Sequence, residues 1–252
     1  MLILSQNTNT MIRTYYLVWL TPLLLISCRS NNFEKSPVDE MIRDMTNEPV
    51  YSIILYDMDE EGTFFKEYQH KYRILKGKEG EVPEEEITDW IPVSEDFFNR
   101  NIDNMGMEIA AKTADGEVTK TAAPPGYNNY VGNPQYGQWQ QGSNGQSFWA
   151  FYGQYALLSS LFNMTAFPAR RGYYDDYRTS RRAGRPYYGP AVGNGQRAYG
   201  TNSRYTTTTK PNTTWRAKTS SRNFRNSSQR TSRSGTRSGS PSMRSRGGGF
   251  GK

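Results

Sequence analysis

Acidic and basic side chains occupy different halves of this chain, and that division limits where a conventional core can form. Residues 28–146 carry 22 Asp and Glu against 11 Lys and Arg, while residues 147–252 carry 2 against 19. The overall charge of +7 therefore hides a half near −11 and a half near +17. Between Lys120 and Arg170 there is no Asp, Glu, Lys or Arg, and no acid follows Asp176. Asymmetry of this size points to separate jobs for the two halves.

Apolar periodicity is confined mostly to the acidic half, where residues 37–123 read as one small domain. Ser36-Pro37-Val38-Asp39 combines a cap residue, a first-turn proline and an early acid, predicting a short helix to about Met45. Val50 to Tyr56 is strand-like. Phe64, Tyr68, His70, Tyr72 and Ile74 then alternate with Glu67, Gln69, Lys71 and Arg73, the period-two pattern of a half-buried strand. Ser94-Glu95-Asp96 opens a second helix presenting Phe97, Phe98 and Ile102. Residues 107–114 and 117–122 flank Asp115-Gly116, the dipeptide of a tight hairpin. The expected fold class is α+β: a small, mainly antiparallel sheet with two or three short helices, followed by a disordered basic tail. A domain of under ~100 residues buries only a modest core.

Beyond Ala123 the period is lost. Residues 124–147 are rich in Gly, Pro, Asn, Gln and Tyr and read as a loop. Residues 148–167 form a 20-residue uncharged aromatic stretch, expected to be helical. Its aromatics and Leu157, Leu158 and Leu161 suit packing on the acidic domain or a membrane interface. Its length matches a bilayer, and the acidic side before it and arginine-rich side after it fit the orientation rule for a spanning segment. Gly153, Gln154, Ser159, Ser160 and Asn163 weigh against spanning. The tail, 168–252, is rich in Arg, Ser, Gly and Tyr. From about Gly193 it holds too few large apolar groups to offset chain entropy, so disorder is expected there.

The opening segment has the layout of an export signal over residues 1–27: Arg13, a 12-residue apolar run over 15–26, and small residues before the chain's one cysteine. The run is shorter than the roughly 20 residues a spanning helix needs. Leu25-Ile26-Ser27-Cys28 resembles the lipobox of bacterial lipoproteins. That resemblance implies cleavage before Cys28, lipid on its sulfur, and residues 28–36 as a tether. Each buried methylene of such a chain contributes about 0.8 kcal/mol, and more than one chain makes the anchor stable. Met11 begins a tidier signal than Met1, so the start codon stays open. So does the choice between inner and outer membrane.

Candidate chemistry is sparse. His70, the one histidine, lies on the apolar face of an expected strand, where a buried, hydrogen-bonded role suits it better than catalysis. Asp57, Asp59 and Glu61 stand at the spacing of the first ligands of a calcium loop, but position twelve is Tyr68 rather than a glutamate, so a solvated turn is expected and no metal is assigned. Pro83-Glu84-Glu85-Glu86 reads as a helix start or solvated face rather than a catalytic carboxylate pair. No cofactor is implied.

The tail is the strongest positive feature after the lipobox. Arg170, Arg171, Arg181, Arg182, Arg222, Arg225, Arg230, Arg233, Arg237, Arg244 and Arg246 lie among Ser, Gly and Asn. The closing "RSRGGGFGK" resembles RGG-type segments that engage RNA by charge and stacking. An exported tail meets little RNA. Its charge would instead act on anionic envelope polymers, lipid headgroups, or the protein's own acidic domain. "GQSFWAFYGQYALLSSLF", "TTTTKP" and "RGGGFG" together resemble the C-terminal layout of the uncharacterised YgiB-type glycine-rich envelope proteins, a family that implies no reaction.

The reading is an extracytoplasmic, lipid-anchored envelope protein with a structural or interaction role, its cationic tail contacting anionic envelope components. One rival is a carboxylate-based envelope hydrolase using Asp57, Asp59 and Glu84 to Glu86. The other is an inner-membrane protein with a cytoplasmic nucleic-acid-binding tail. A pocket gathering those carboxylates with His70 would favour the hydrolase.

Overall fold

The computed structural model describes residues 36–62, 65–193 and 195–210, together with 213, 215 and 218. Cys28 with its signal and tether, and the arginines from Arg222 to Arg246, lie outside the described residues.

The first elements follow local sequence closely. Helix α1 (Pro37–Asp44) carries its proline in the first turn, with Asp39 and Glu40 at the positive end of the helix dipole. Strands β1 (Val50–Glu61) and β2 (Glu67–Gly77) form a long antiparallel hairpin. On one edge β2 pairs with β3 (Glu84–Ile87) and, further along, with β4 (Ile91–Val93). Helix α2 (Glu95–Arg100) follows, its Ser94 hydroxyl accepting from the Phe97 amide at 3.3 Å. Strands β5 (Glu108–Lys112) and β6 (Val118–Thr119) complete a six-stranded sheet ordered β3-β2-β1-β5-β6, with β4 beside β2. The expected Asp115-Gly116 turn closes β5 on β6. Gly116 adopts a φ of 84°, open to glycine at little cost, and its amide donates to the Thr113 carbonyl.

One face of this sheet carries the expected alternating set. Tyr51, Ile53, Leu55 and Met58 meet Tyr72, Phe98 and Val93, covered by α1 and α2. The change of register between Leu55 and Asp57 makes Tyr56 an extra residue in β1, so Met58 rejoins the face of Leu55.

The opposite face is buried as well, which the period-two pattern did not anticipate. Ile54 and Leu75 pack there against Tyr127, Tyr130, Tyr136, Tyr155, Leu158 and Phe162. Residues 124–147 are thus no mere loop. Their tyrosines are core residues in edge-to-face contact, with ring centroids 5.0 Å apart for Tyr130–Tyr136 and, onto the later Tyr155, 5.0 Å for Tyr136–Tyr155. The segment is tied down where Glu108 and Ala123 exchange backbone hydrogen bonds of 2.9 Å each.

Residues 148–167 are not one helix. They divide into strand β8 (Ser147–Phe151), paired with β7 (Gly137–Gln141), then a 3₁₀ turn (Gly153–Tyr155) and the short helix α3 (Ala156–Leu161). The aromatics alternate across a hairpin, with Trp139 opposite Trp149 at 5.2 Å between rings, a pairing that sheet geometry rewards and a helix would lose. No described helix is long and apolar enough to cross a membrane.

Helix α4 (Arg171–Arg182) packs its Tyr174 and Tyr177 onto the tyrosine-rich layer. A small hairpin, β9 (Ala191–Val192) with β10 (Gln196–Arg197), and helix α5 (Arg204–Thr209) follow. The expectation of disorder from about Gly193 is corrected over the described part of this stretch. Tyr199, Tyr205 and Trp215 are buried, and Thr206 is fully enclosed. These residues need no core of their own, because they dock on surface the earlier elements already supply. With α1 to α5 there are five α-helices among the described residues, rather than two or three.

Candidate functional site

Of the four described arginines of the expected cationic set, Arg170 precedes helix α4 and the other three lie on it, where a turn every 3.6 residues sorts the side chains. Arg171, Asp175, Arg178 and Arg182 fall on one stripe, all exposed. Tyr174, Tyr177 and Arg181 fall on the other side. Tyr177 is buried and its hydroxyl donates to Asn128 Oδ1 at 2.6 Å, while Arg181 Nη2 reaches Glu117 Oε2 at 2.8 Å. Arg171 pairs with Asp175 at 3.5 Å and lies 5.0 Å above the Trp139 ring. Arg170 lies 5.7 Å from the Tyr173 ring, in the short crossing to α4 where the chain bridges onto β8. Arg178 and, just past the helix, Arg185 are also exposed. Both are absent from the expected set, because their exposure follows from where α4 turns and ends and not from composition.

Among the described residues, three cations of the basic half pair with the acidic half. Besides Arg181–Glu117, Arg197 reaches Asp103 at 3.5 Å, and Lys218 Nζ binds the Asp59 carboxylate and the Glu60 carbonyl. The sequence-level charge division is thus partly an internal complementarity.

The expected metal and catalytic candidates do not converge. Asp57, Asp59 and Glu61 lie along β1 rather than on a turn. Alternate strand residues stand ~6.6 Å apart along the chain, whereas a calcium loop wraps its carboxylates around one point. Asp57 accepts from the Met58 amide and Asp59 from the Glu60 amide, both at 2.8 Å. No group of three His, Cys, Asp or Glu able to hold a metal occurs among the described residues. Glu84 to Glu86 lie on the exposed strand β3, where Glu85 pairs with Arg73 at 2.9 Å and Glu86 with Lys76 at 3.1 Å. His70 is fully buried beside Phe97 and Phe98, with Nδ1 3.0 Å from the Tyr72 hydroxyl. Burial lowers its pKa to about 3, keeping it neutral.

Two titratable groups that sequence reasoning passed over stand out. Glu108 is wholly enclosed where β5 meets the tyrosine-rich layer. Its Oε2 accepts from the Gly126 amide at 3.0 Å and its Oε1 from Asn128 Nδ2. Burial raises its pKa to about 7 against those two hydrogen bonds. Lys210, at the end of α5, binds the Tyr56 carbonyl with its ammonium over the Tyr56 ring. Burial lowers its pKa to about 7, while Asp57 opposes the shift and Arg73 and Lys71 add to it. Lys210 and Arg73 line a cavity of about 450 Å³ with Asn163 and Thr209. No sequence signal marks either group, since a lone Glu or Lys becomes unusual only through what folds over it.

A second cavity, about 490 Å³, opens between the β5–β6 turn and α4. Asp115 and Glu117 form one wall, Asn128, Asn129 and Asn133 the floor, and Tyr174 and Arg181 the other wall. Tyr174 fits closely over Gly132, whose φ is 81°. A β-carbon there would stand 2.6 Å from the Tyr174 hydroxyl, so only glycine admits the ring.

No protein-family model matches this chain, and neither a curated protein nor a solved structure does so significantly.

Proposed function

We propose that this chain is a lipid-anchored protein of the bacterial envelope with an interaction role, holding phosphate-bearing polymers or lipid headgroups through its arginines. One observation carries the reading: the outward stripe of Arg171, Arg178 and Arg182 on α4, extended by Arg185, in a region with no acid after Asp176. Arg171 is half engaged by Asp175, whereas Arg178 and Arg182 point to solvent away from the tyrosine layer. A rigid helix holding cations on one face engages an anionic surface at less entropic cost than a flexible run of the same charge. The arginines from Arg222 to Arg246 would add to the same attraction, and the Cys28 anchor would bring both close to the membrane.

His70 shares the buried face of Met58 and Tyr72, whereas Asp57 and Asp59 flank Met58 on the other face of the strand and Glu84 to Glu86 lie on exposed β3, which counts against the hydrolase alternative. The division of residues 148–167 into strand, turn and short helix counts against the alternative of a spanning segment followed by a cytoplasmic nucleic-acid-binding tail.

The test is titration of the full chain against vesicles containing phosphatidylglycerol and, separately, against soluble polyphosphate. An exposed basic residue contributes about 1 kcal/mol near an anionic membrane. The triple change Arg178→Ala, Arg182→Ala and Arg185→Ala removes about 3 kcal/mol and should therefore weaken binding by about a hundredfold at low salt. Binding should also fall as salt shortens the screening length. Salt-independent binding, or a triple variant that binds like the parent, sinks the proposal.

A further inference from the structure

The cavity between the β5–β6 turn and α4 lies apart from the outward arginine stripe, and its chemistry differs from that stripe. Three carboxylates border it (Glu79, Asp115 and Glu117) against one guanidinium, Arg181, so it repels the phosphate groups proposed for the exposed face of α4. Each carboxylate already has an internal partner. Thr113 donates to Asp115, Asn133 Nδ2 donates to Glu79 at 2.8 Å, and Arg181 meets Glu117. A small cation would have to displace those partners. A hydroxyl would not, because a carboxylate has room for about four hydrogen bonds and these use only one or two.

The floor holds an unsatisfied polar group. Asn129 is 7% exposed, and its Nδ2 donates to the Tyr51 carbonyl at 2.9 Å and to Ser52 Oγ at 3.0 Å. Its Oδ1, on a residue lining the cavity, has no hydrogen-bond partner among the described residues. A buried amide oxygen without a donor costs on the order of 1–3 kcal/mol, and because this one has almost no accessible surface, a ligand donor recovers that cost only where the amide turns its oxygen to the cavity. Asn128 beside it is held rigidly. Its Nδ2 is fixed by Glu108 and its Oδ1 by the Tyr177 hydroxyl, so the floor is preorganised and does not collapse inward.

We infer that this cavity is a binding site for a neutral carbohydrate. Planar amides, carboxylates and a guanidinium mixed at one surface offer donors and acceptors side by side, and adjacent sugar hydroxyls are both at once. Tyr174, locked over Gly132 and tilted against Trp139 with ring centroids 5.6 Å apart, supplies an aromatic wall for the C–H face of a sugar ring. A lipid chain finds little apolar wall here, and the volume of about 490 Å³ lies within the roughly 300–1,000 Å³ usual for small-ligand sites.

The experiment titrates the full chain with tetrasaccharides of β-1,4-linked N-acetylglucosamine and of α-1,4-linked glucose, by calorimetry and ligand-observed NMR. The expected result is saturable one-site binding of at least one probe, with affinity unchanged between about 50 and 500 mM salt because no net charge is neutralised. Arg181→Ala and Asp115→Asn should each weaken it, by about tenfold for the loss of a charged hydrogen-bond partner. Asp115 is on an exposed turn, so its variant keeps the test valid if Arg181→Ala fails to fold. Absence of saturable binding by both sugars overturns the inference. So does binding that neither variant weakens, or sole, salt-sensitive occupancy by an oligolysine control. None of these outcomes bears on the arginine stripe, which the vesicle titration tests by itself.

Discussion

Arg181 of helix α4 lies 2.8 Å from Glu117 of the β5–β6 turn, joining the basic half of the chain to the acidic half across 64 residues. The pair looks like the clasp of the fold, yet Glu117 is more than half exposed. Exposed ion pairs contribute at most about 1 kcal/mol. Glu117→Gln should therefore lower stability by less than that in chemical denaturation. Tyr177→Ala, which empties a buried aromatic site four residues before Arg181, should cost about 3–5 kcal/mol. The reverse order would mean that charge, and not burial, holds α4 in place.

Truncation tests how much the described part of the basic half contributes to the core. Ending the chain after residue 192 deletes Tyr199, Tyr205 and Trp215, three buried aromatics, the last packed edge-on at 5.1 Å against Phe98. Losses of about 3 kcal/mol or more per large buried ring should lower the melting temperature by well over 10 °C. Ending after residue 218 keeps all three rings and should leave a chain that melts well above the shorter one. Equal melting of both truncated chains would contradict the placement of these rings.

Stability should respond to pH through two buried groups of opposite sign. The folded Glu108 carboxyl titrates at about 7 rather than 4.5, so its contribution is fully present below about 4.5 and is lost as pH rises through 7. That loss is on the order of 3 kcal/mol. His70 titrates at about 3 rather than 6.5, so its contribution is present above 6.5 and is lost as pH falls toward 3. Between 4.5 and 6.5 the two oppose each other. Urea denaturation at several pH values should show Glu108→Gln gaining on the parent from pH 5 to 8. Parallel curves for the two proteins would refute the buried carboxyl.

Lys210 should behave as an amine that is largely neutral near pH 7.5, given a pKa of about 7. Its access is limited by the Tyr56 ring, so the informative readout is the pH at which labelling reaches half its plateau, not the absolute rate. Competitive acetylation followed by peptide mass spectrometry should place that midpoint near 7, while ordinary lysines titrate around 10.4. A midpoint above 9 would mean that the ammonium stays hydrated.

The proposed anchor is tested at Cys28. Cys28→Ala should abolish incorporation of labelled fatty acid and leave uncleaved precursor of higher mass. Labelling that persists in the variant would exclude this cysteine as the acceptor.

Local chemistry made part of the fold legible. Pro37 announced α1, Ser94 announced α2, Asp115-Gly116 announced the β5–β6 turn, and the alternation from Tyr68 to Ile74 marked one face of β2. Each of these signals acts within a few residues, so it can be read without knowing what lies nearby in space. The second sheet face could not be read that way. Tyr127, Tyr130 and Tyr136 follow no helical or strand period, and they are buried because turns aim them individually at Ile54 and Leu75. The Trp139–Trp149 pairing likewise depended on a hairpin hidden inside a stretch whose uniform lack of charge suggested one helix.

By itself the sequence determined the charge division, the resemblance to a lipoprotein signal, and the short-range elements of the acidic half, because composition and local hydrogen bonding act at the scale of single turns. Only the tertiary structure decided that part of the basic half is a second layer of the core, that Arg181 faces inward while Arg178 and Arg182 face out, and that Glu108, Lys210 and Asn129 sit in unusual surroundings. Those outcomes depend on desolvation and on contacts between residues tens of positions apart. Such effects belong to the packed molecule and to no segment of it.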